Sequence, residues 1–169
     1  MFEIIVACTA NGGIGKNGII PWNAPLDLKN FYNLTTFKPE NKINVLIMGR
    51  RTYESIGNKP LKKRLNIVVS KTLTSQNDVI IANDFNSALN ICNDIIDIYK
   101  IFIIGGVELY KEALINDNCS KIHLTYIKNN FDCDVFFPLE LLSNYKKTSI
   151  ESNIIDNELI YDKILYENK

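Results

Sequence analysis

Apolar and polar positions change rhythm repeatedly along this chain. Phe2 to Thr9 is apolar and β-branched, the pattern of a strand buried on both faces. From Asn11 to Pro25 the rhythm is broken by glycine, asparagine and proline, so a long loop is expected there. Leu26 to about Thr36 reads as a helix. Asn44 to Met48 is a short buried strand, and Arg51 to Ile56 a short helix. Leu65 to Ser70 and Asp78 to Ala82 read as strands. Phe85, Ala88, Leu89, Cys92 and Ile96 recur at helical spacing, which predicts a helix over Phe85 to Ile96. Ile101 to Ile104 is a strand, Val107 to Leu114 a helix, and Lys121 to Ile127 a strand. The tail is different: Tyr145 to Glu151 and Leu159 to Tyr166 are strand-like and flank a polar turn, which predicts an antiparallel hairpin.

Strands alternating with helices and followed by a hairpin imply an α/β fold. The expected sheet is mixed and mostly parallel, with helices on both faces and an antiparallel end. Such sheets bind ligands beyond the carboxyl ends of their strands. With 169 residues, one domain over residues 1–169 is the simplest organisation. No internal repeat or low-complexity linker interrupts it.

The glycines after the first strand, Gly13-Ile-Gly15-Lys-Asn-Gly18, match the spacing of a dinucleotide fingerprint. That fingerprint needs a helix opening at its third glycine, because the helix N-terminus holds the pyrophosphate. Here Ile19-Ile20-Pro21-Trp22 follows, and Pro21 lacks an N–H and keeps its neighbour extended. A glycine-rich loop fits better than a Rossmann turn.

Composition narrows the function classes. Lys plus Arg and Asp plus Glu both total 19, so the net charge is zero. A general attraction to nucleic acid or an anionic membrane is not expected, and any anion site must be local. The four cysteines, Cys8, Cys92, Cys119 and Cys133, form no C-x-x-C pair and accompany a single histidine, which argues against a metal. The start of the chain lacks the features of a signal peptide, and no apolar run reaches the roughly 18 residues of a membrane span. A reducing, cytoplasmic location is expected.

One local pattern points to chemistry. Pro25 suits the first turn of a helix, and Asp27 follows where the helix dipole favours an anion. Asp27, Leu28 and Phe31 share a face that Leu34 and Thr35 continue. A carboxylate on an apolar face is costly to bury without a partner. Asp27 either caps or solvates the helix start, or it binds a flat polar heterocycle packed by Leu28 and Phe31.

Taken together, the chain resembles dihydrofolate reductases over nearly its whole length. The resemblance is carried by Gly-Ile14-Gly15, Pro21-Trp22-x-x-Pro25-x-Asp27-Leu28-x-x-Phe31, Met-Gly49-Arg50-Arg51-Thr52-Tyr53-x-Ser55-Ile56, Pro60-Leu61-x-x-Arg64-x-Asn66, Ile104-Gly105-Gly106-x-x-x-Tyr110, Leu124-Thr125 and Asp134-x-x-Phe137-Pro138. It implies a sheet of about eight strands and the reduction of dihydrofolate to tetrahydrofolate, with hydride from NADPH to pterin C6 and protonation at N5. That reaction serves one-carbon metabolism and thymidylate synthesis and is a target of antifolates.

The resemblance also implies residue roles. Asp27, Trp22 and Thr125 would be the catalytic group, with Asp27 binding the pterin and Thr125 orienting it. Ile5, Ala7, Leu28, Phe31, Ile56, Leu61, Ile104 and Tyr110 would line the substrate site, and Arg64 would take the carboxylate of its glutamate. Ala7, Ile14, Gly15, Gly49, Arg50, Arg51, Thr52, Ser70, Lys71, Ile104, Gly105, Gly106, Val107, Glu108, Leu109 and Tyr110 would hold the cofactor. Arg50 and Lys71 together favour the 2′-phosphate of NADPH over NADH, although Arg50-Arg51 and the Lys62-Lys63-Arg64 run also suit solvated surface charge. His123 is expected to be structural. A small-molecule substrate, no metal, no nucleic-acid or membrane partner and a monomeric state complete the expectation. The chain departs from the family at Ile20, where bacterial members commonly carry Met, at Tyr53 in place of a frequent Trp, and at Lys63, where Gly is usual. Two other readings stay open. A related pyrimidinone reductase of riboflavin synthesis would share fold and NADPH without needing the Asp27 segment or Arg64. A binding module without turnover would be expected to have lost Asp27 or a cofactor glycine.

Overall fold

The computed structural model describes residues 1–74 and 78–169. In chain order the elements are β1 (Phe2–Thr9), β2 (Gly13–Gly15), α1 (Pro25–Thr36), β3 (Ile43–Gly49), α2 (Arg50–Ser55), β4 (Leu65–Val69), β5 (Ile80–Ala82), α3 (Phe85–Asn93), β6 (Ile98–Ile103), α4 (Val107–Leu114), β7 (Cys119–Ile127), β8 (Val135–Phe136), a 3-10 turn (Leu139–Asn144), β9 (Tyr145–Asp156) and β10 (Leu159–Asn168). Eight strands form one sheet in the order β5-β4-β3-β6-β1-β7-β10-β9. Neighbours from β5 through β7 are parallel; β10 joins β7, and β9 joins β10, antiparallel.

Burial follows from that order. β1, β3 and β6 have neighbours on both sides and a helical layer on each face, so they read as mostly apolar, broken only by Glu3 and Thr9, Asn44 and Lys100. One face packs Phe2, Ile4, Val6, Ile47, Ile67 and Ile103 against α3 and α4. The other packs Leu46, Met48, Val68 and Phe102 against Tyr53 of α2 and Phe31 and Leu34 of α1. Alternate residues of each strand supply the two faces. All four cysteines are free thiols; burial pushes Cys8 up to about 12 and Cys92 and Cys119 up to about 11, so none of those three is a ready nucleophile.

Several boundaries differ from the periodicity. α3 stops at Asn93, capped at its start by Asp84 accepting from the Ser87 amide, and Ile96 is 84% exposed instead of completing the apolar stripe. β6 begins at Ile98 and β7 at Cys119, both earlier than their apolar cores suggest. β9 runs to Asp156, well past Glu151, because backbone pairing with β10 needs no apolar side chains. The glycine-rich segment is not all loop: Gly13 and Gly15 pair with Phe136 and Val135 in a small second sheet. No helix opens after Gly18; Lys16 and Ile19 instead close a turn with Asn17 and Gly18 at positive φ.

Topology places a crevice between two adjacent parallel strands. From β3 the chain leaves through α2 towards β4; from its neighbour β6 it leaves through α4 towards β7, on the opposite side. The two connections diverge and leave a gap at the carboxyl ends.

Asn44 ties the helix that borders this gap to the sheet. It is fully buried, donates from Nδ2 to the Thr35 and Phe37 carbonyls at 2.8 and 2.9 Å, and accepts from the Lys100 amide at 3.1 Å. Asn44→Leu removes three hydrogen bonds, leaving one buried and two partly buried backbone groups without this partner. We expect a loss of about 3 kcal/mol, measurable as a lower urea midpoint; an unchanged midpoint would show that the end of α1 does not depend on it.

Candidate active site

An open cleft of about 1900 Å³ runs across the carboxyl ends of β1, β3, β4 and β6 and along α1. It is large enough for two extended small molecules side by side, since single ligand sites usually take roughly 300–1,000 Å³. Its walls hold the residues that the sequence singled out, with one exception.

Asp27 stands in the first turn of α1, half-buried, and its Oδ1 accepts a hydrogen bond from Thr125 Oγ1 at 2.8 Å. Thr125 lies on β7, opposite Ala7 of β1 on one side and Lys163 of β10 on the other. Burial holds the Asp27 carboxyl above its ordinary value of 3.8. The Thr125 hydrogen bond and the Lys163 charge pull it down, while the Asp156 charge adds to the rise. Phe31, Leu34 and Thr35 continue the same face, and Leu28 borders the cleft while 61% exposed. Ile56 and Leu61 form the facing apolar wall.

Arg64 closes that channel. Its Nη1 donates to Thr35 Oγ1 and its Nε to the Lys62 carbonyl, both at 2.8 Å, and its guanidinium lies 5.4 Å from the Tyr32 ring centroid. Buried Asn66 clamps the loop before it, accepting from the Leu61 amide and donating to the Leu61 and Arg64 carbonyls. Lys63, at a position where the resembled family usually has Gly, takes φ 67°, the left-handed region that glycine enters without strain.

The other end of the cleft is built from backbone. The Gly49 amide donates to the Gly105 carbonyl at 2.7 Å, which brings the starts of α2 and α4 together. The Gly105–Gly106 bond is cis. Gly105 has φ 110°, and a Cβ there would lie 3.2 Å from the Tyr110 hydroxyl, so both space and conformation demand glycine. Tyr110 is buried and donates to the Ile5 carbonyl at 2.8 Å. Arg50, Arg51, Thr52, Ser70, Lys71, Ile104 and the segment from Val107 to Tyr110 complete the walls. Arg50 is held by Glu54 at 2.8 Å, four residues on in the same helix.

Ile14 and Gly15 also border the cleft. Gly13 packs so closely that a Cβ would meet Cys133 Sγ at 2.6 Å. Asp134 latches the following turn by accepting from the Asn17 amide at 2.9 Å. Trp22 is the exception: it packs on Phe131, with ring centroids 5.4 Å apart, in a cluster with Ala24, Ile127 and Tyr161, and does not line the cleft. It anchors the end of the glycine-rich segment beside the site. His123, on the same face of β7 as Thr125, binds Glu3 Oε2 at 2.7 Å, while Lys100 binds Glu3 Oε1 at 2.7 Å. Burial alone would raise the Glu3 carboxyl, but these two partners hold it below its ordinary value. The group that sequence reasoning missed is Asp156, whose Oδ2 accepts from the amides of Leu26 and Asp27. No local signal pairs residues so far apart.

Among the described residues, no cluster of side chains suited to a metal ion and no helix long and apolar enough to cross a membrane is found.

A family model described as dihydrofolate reductase matches residues 1–168. The chain is 34% identical over 180 residues to the dihydrofolate reductase of Aedes albopictus, covering 98% of this chain and 96% of that protein. It is 44% identical over 137 residues to that of Haemophilus influenzae, covering 81% of this chain and 78% of that protein. The bifunctional dihydrofolate reductase-thymidylate synthase 2 of Arabidopsis thaliana is 38% identical over 168 residues, or 94% of this chain and 30% of that protein. The chain thus spans about a third of the length of the bifunctional relatives it matches.

The raised Asp27 value has a consequence for stability. A carboxyl whose folded value lies above its unfolded one costs nothing below the ordinary 3.8 and destabilises as pH rises through the folded value. Asp27→Asn should therefore raise the urea midpoint at neutral pH. That advantage should shrink as pH falls towards 3.8; a variant less stable than the parent at neutral pH would contradict it.

Proposed function

The chain belongs to the dihydrofolate reductase family, and on that premise we propose that it reduces dihydrofolate to tetrahydrofolate with NADPH. The observation that carries this reading is the Asp27–Thr125 pair, a half-buried acid with a side-chain partner in the wall of a cleft roomy enough for two small molecules.

Asp27 accepts hydrogen bonds from the pterin 2-amino group and N3 and favours protonation at N5. Acid–base help of this kind contributes about 10²–10⁴-fold. Thr125 holds the carboxylate in the orientation that presents its other oxygen to the pterin. Carbonyls at Ile5, Ala7 and Ile104 face the heterocycles from the strand ends. Leu28, Phe31, Ile56 and Leu61 pack the p-aminobenzoyl group and exclude water. Arg64 pairs with the substrate's α-carboxylate, since a guanidinium already fixed by Thr35 and Lys62 meets a carboxylate with little further loss of freedom. Trp22 acts by anchoring the segment that leads into α1.

A nicotinamide cofactor suits the rest of the cleft. The close approach of Gly49 to Gly106, where a Cβ would lie 3.4 Å from the Gly106 amide nitrogen, makes a cradle of bare backbone. Gly49, Arg50, Arg51 and Thr52 on one side and Gly105, Gly106, Val107 and Glu108 on the other would hold its phosphates, with Leu109 and Tyr110 behind. Ile14, Gly15, Ala7 and Ile104 would border its nicotinamide. Ser70 and Lys71 would join Arg50 around a 2′-phosphate, which favours NADPH over NADH. When bound, the cofactor supplies the hydride delivered to pterin C6.

We read residues 1–169 as a single domain acting as a monomer on a small molecule. Zero net charge supports a reading without nucleic-acid or membrane partners, and four free thiols suit a reducing compartment such as the cytoplasm.

Loss of nicotinamide absorbance with dihydrofolate and NADPH tests the reading; no dihydrofolate-dependent rate in folded protein overturns it. Asp27→Asn should lower kcat/KM by about 10²–10⁴-fold at neutral pH and by less in acid, where substrate is already protonated. Lys71→Ala should raise KM for NADPH more than for NADH, and equal effects would exclude a 2′-phosphate role.

A further inference from the structure

The start of α1 lacks a local cap. Ala24, the residue before the helix, has no side-chain acceptor, and Pro25 has no N–H. The amides of Leu26 and Asp27 are left without intrahelical partners, and both donate to one atom, Asp156 Oδ2, at 2.9 and 3.1 Å. Asp156 is the last residue of β9, far along the chain, and only 5% exposed. One of its two donors is the backbone of Asp27 itself. The acid is therefore held at two points: its main chain by β9 and its side chain by β7 through Thr125.

β10 lies between those two strands. Its residues Tyr161 and Lys163 are two apart and share a face, with Lys163 opposite Thr125 on one side and Glu151 on the other. Tyr161 is fully buried, and its hydroxyl lies close to Asp156. The titratable and charged groups facing Asp27 are thus Asp156 and Glu151 from β9 and Tyr161 and Lys163 from β10. From β7 the facing group is His123, which is taken up by Glu3.

We propose that Asp156 is a positioning residue for the reduction: through the Leu26 and Asp27 amides it fixes where the Asp27 carboxyl stands, and with Lys163 it sets the field in which that carboxyl exchanges its proton. The inference rests on the reading of Asp27 as the acid of a dihydrofolate reductase. A negative charge at Asp156 opposes ionisation of Asp27, and the Lys163 ammonium favours it. Asp156 is held by its two amide donors, and strand register places Lys163 opposite Thr125.

Asp156→Asn keeps an acceptor oxygen for the helix amides and removes only the charge. Its expected effect is a shift of the Asp27 midpoint to lower pH, both in the pH profile of kcat/KM and in an NMR titration of the Asp27 side-chain carboxyl carbon. Lys163→Met should shift the same midpoint to higher pH. Asp156→Ala, which also removes the cap, should lower kcat by about tenfold or more, because small displacements of a reacting group are costly. Unmoved midpoints in Asp156→Asn and Lys163→Met would overturn the inference. So would an Asp156→Ala variant that is less stable yet keeps the parent kcat. The NMR titration needs no turnover, so absence of dihydrofolate reduction in the parent would sink the functional reading separately.

Discussion

A carboxyl group on the apolar face of a helix must be held in place while it remains partly out of water, and much of this fold is organised around that demand at Asp27. Water cannot satisfy the group fully, so protein atoms do: the Thr125 hydroxyl on its side chain and Asp156 on its backbone amide. Those partners come from β7 and β9, two of the three strands at one edge of the main sheet, with β10 between them. The antiparallel tail is therefore part of the site. A sheet ending at β7 would keep the Thr125 bond but leave the first turn of α1 unsupported.

The cofactor end of the cleft answers a different demand, the close approach of backbone. It arises where β3 and β6 lie side by side and their following helices diverge to opposite faces. The Gly49–Gly105 hydrogen bond closes the two strand ends against each other. At Gly105 a Cβ would crowd the Tyr110 ring, and the positive φ adds a conformational cost. Arg50, Arg51 and Lys71 supply local positive charge at this end of the cleft, in a chain with no net charge.

The legible parts were those set by neighbours in sequence. β1, α1 and α4 fall where their apolar patterns put them, and Pro21 correctly argues that no helix opens after Gly18. What stayed hidden depends on distant pairing. Ile96 fits a helical stripe, yet the helix ends before it and the side chain is solvent-exposed. The Gly13–Gly15 strand exists only because Val135 and Phe136 arrive opposite it. Trp22 enters the expected catalytic group through the resemblance, and its packing on Phe131 becomes visible only in the fold. Asp156 sits in an ordinary polar stretch, and its role appears only when β9 is laid beside α1. Even the Lys63 departure became informative only with its backbone angle in hand.

These points converge on α1 as a gauge. Asp27 lies near its start and Thr35 near its end, eight residues apart, which is roughly 12 Å along a helix axis. Asp156 pins the first turn from β9, and Asn44 pins the last from β3 through the Thr35 carbonyl. Thr35 in turn holds Arg64 through its hydroxyl. The separation between the acid and the guanidinium is thereby fixed by a helix secured at both ends. On the proposed reading, that separation measures the substrate from its pterin to its glutamate. A molecule lacking either terminal group would fill the apolar channel and still leave one of the two polar ends unpaired, so selectivity would come from the length of the ligand as well as from its groups.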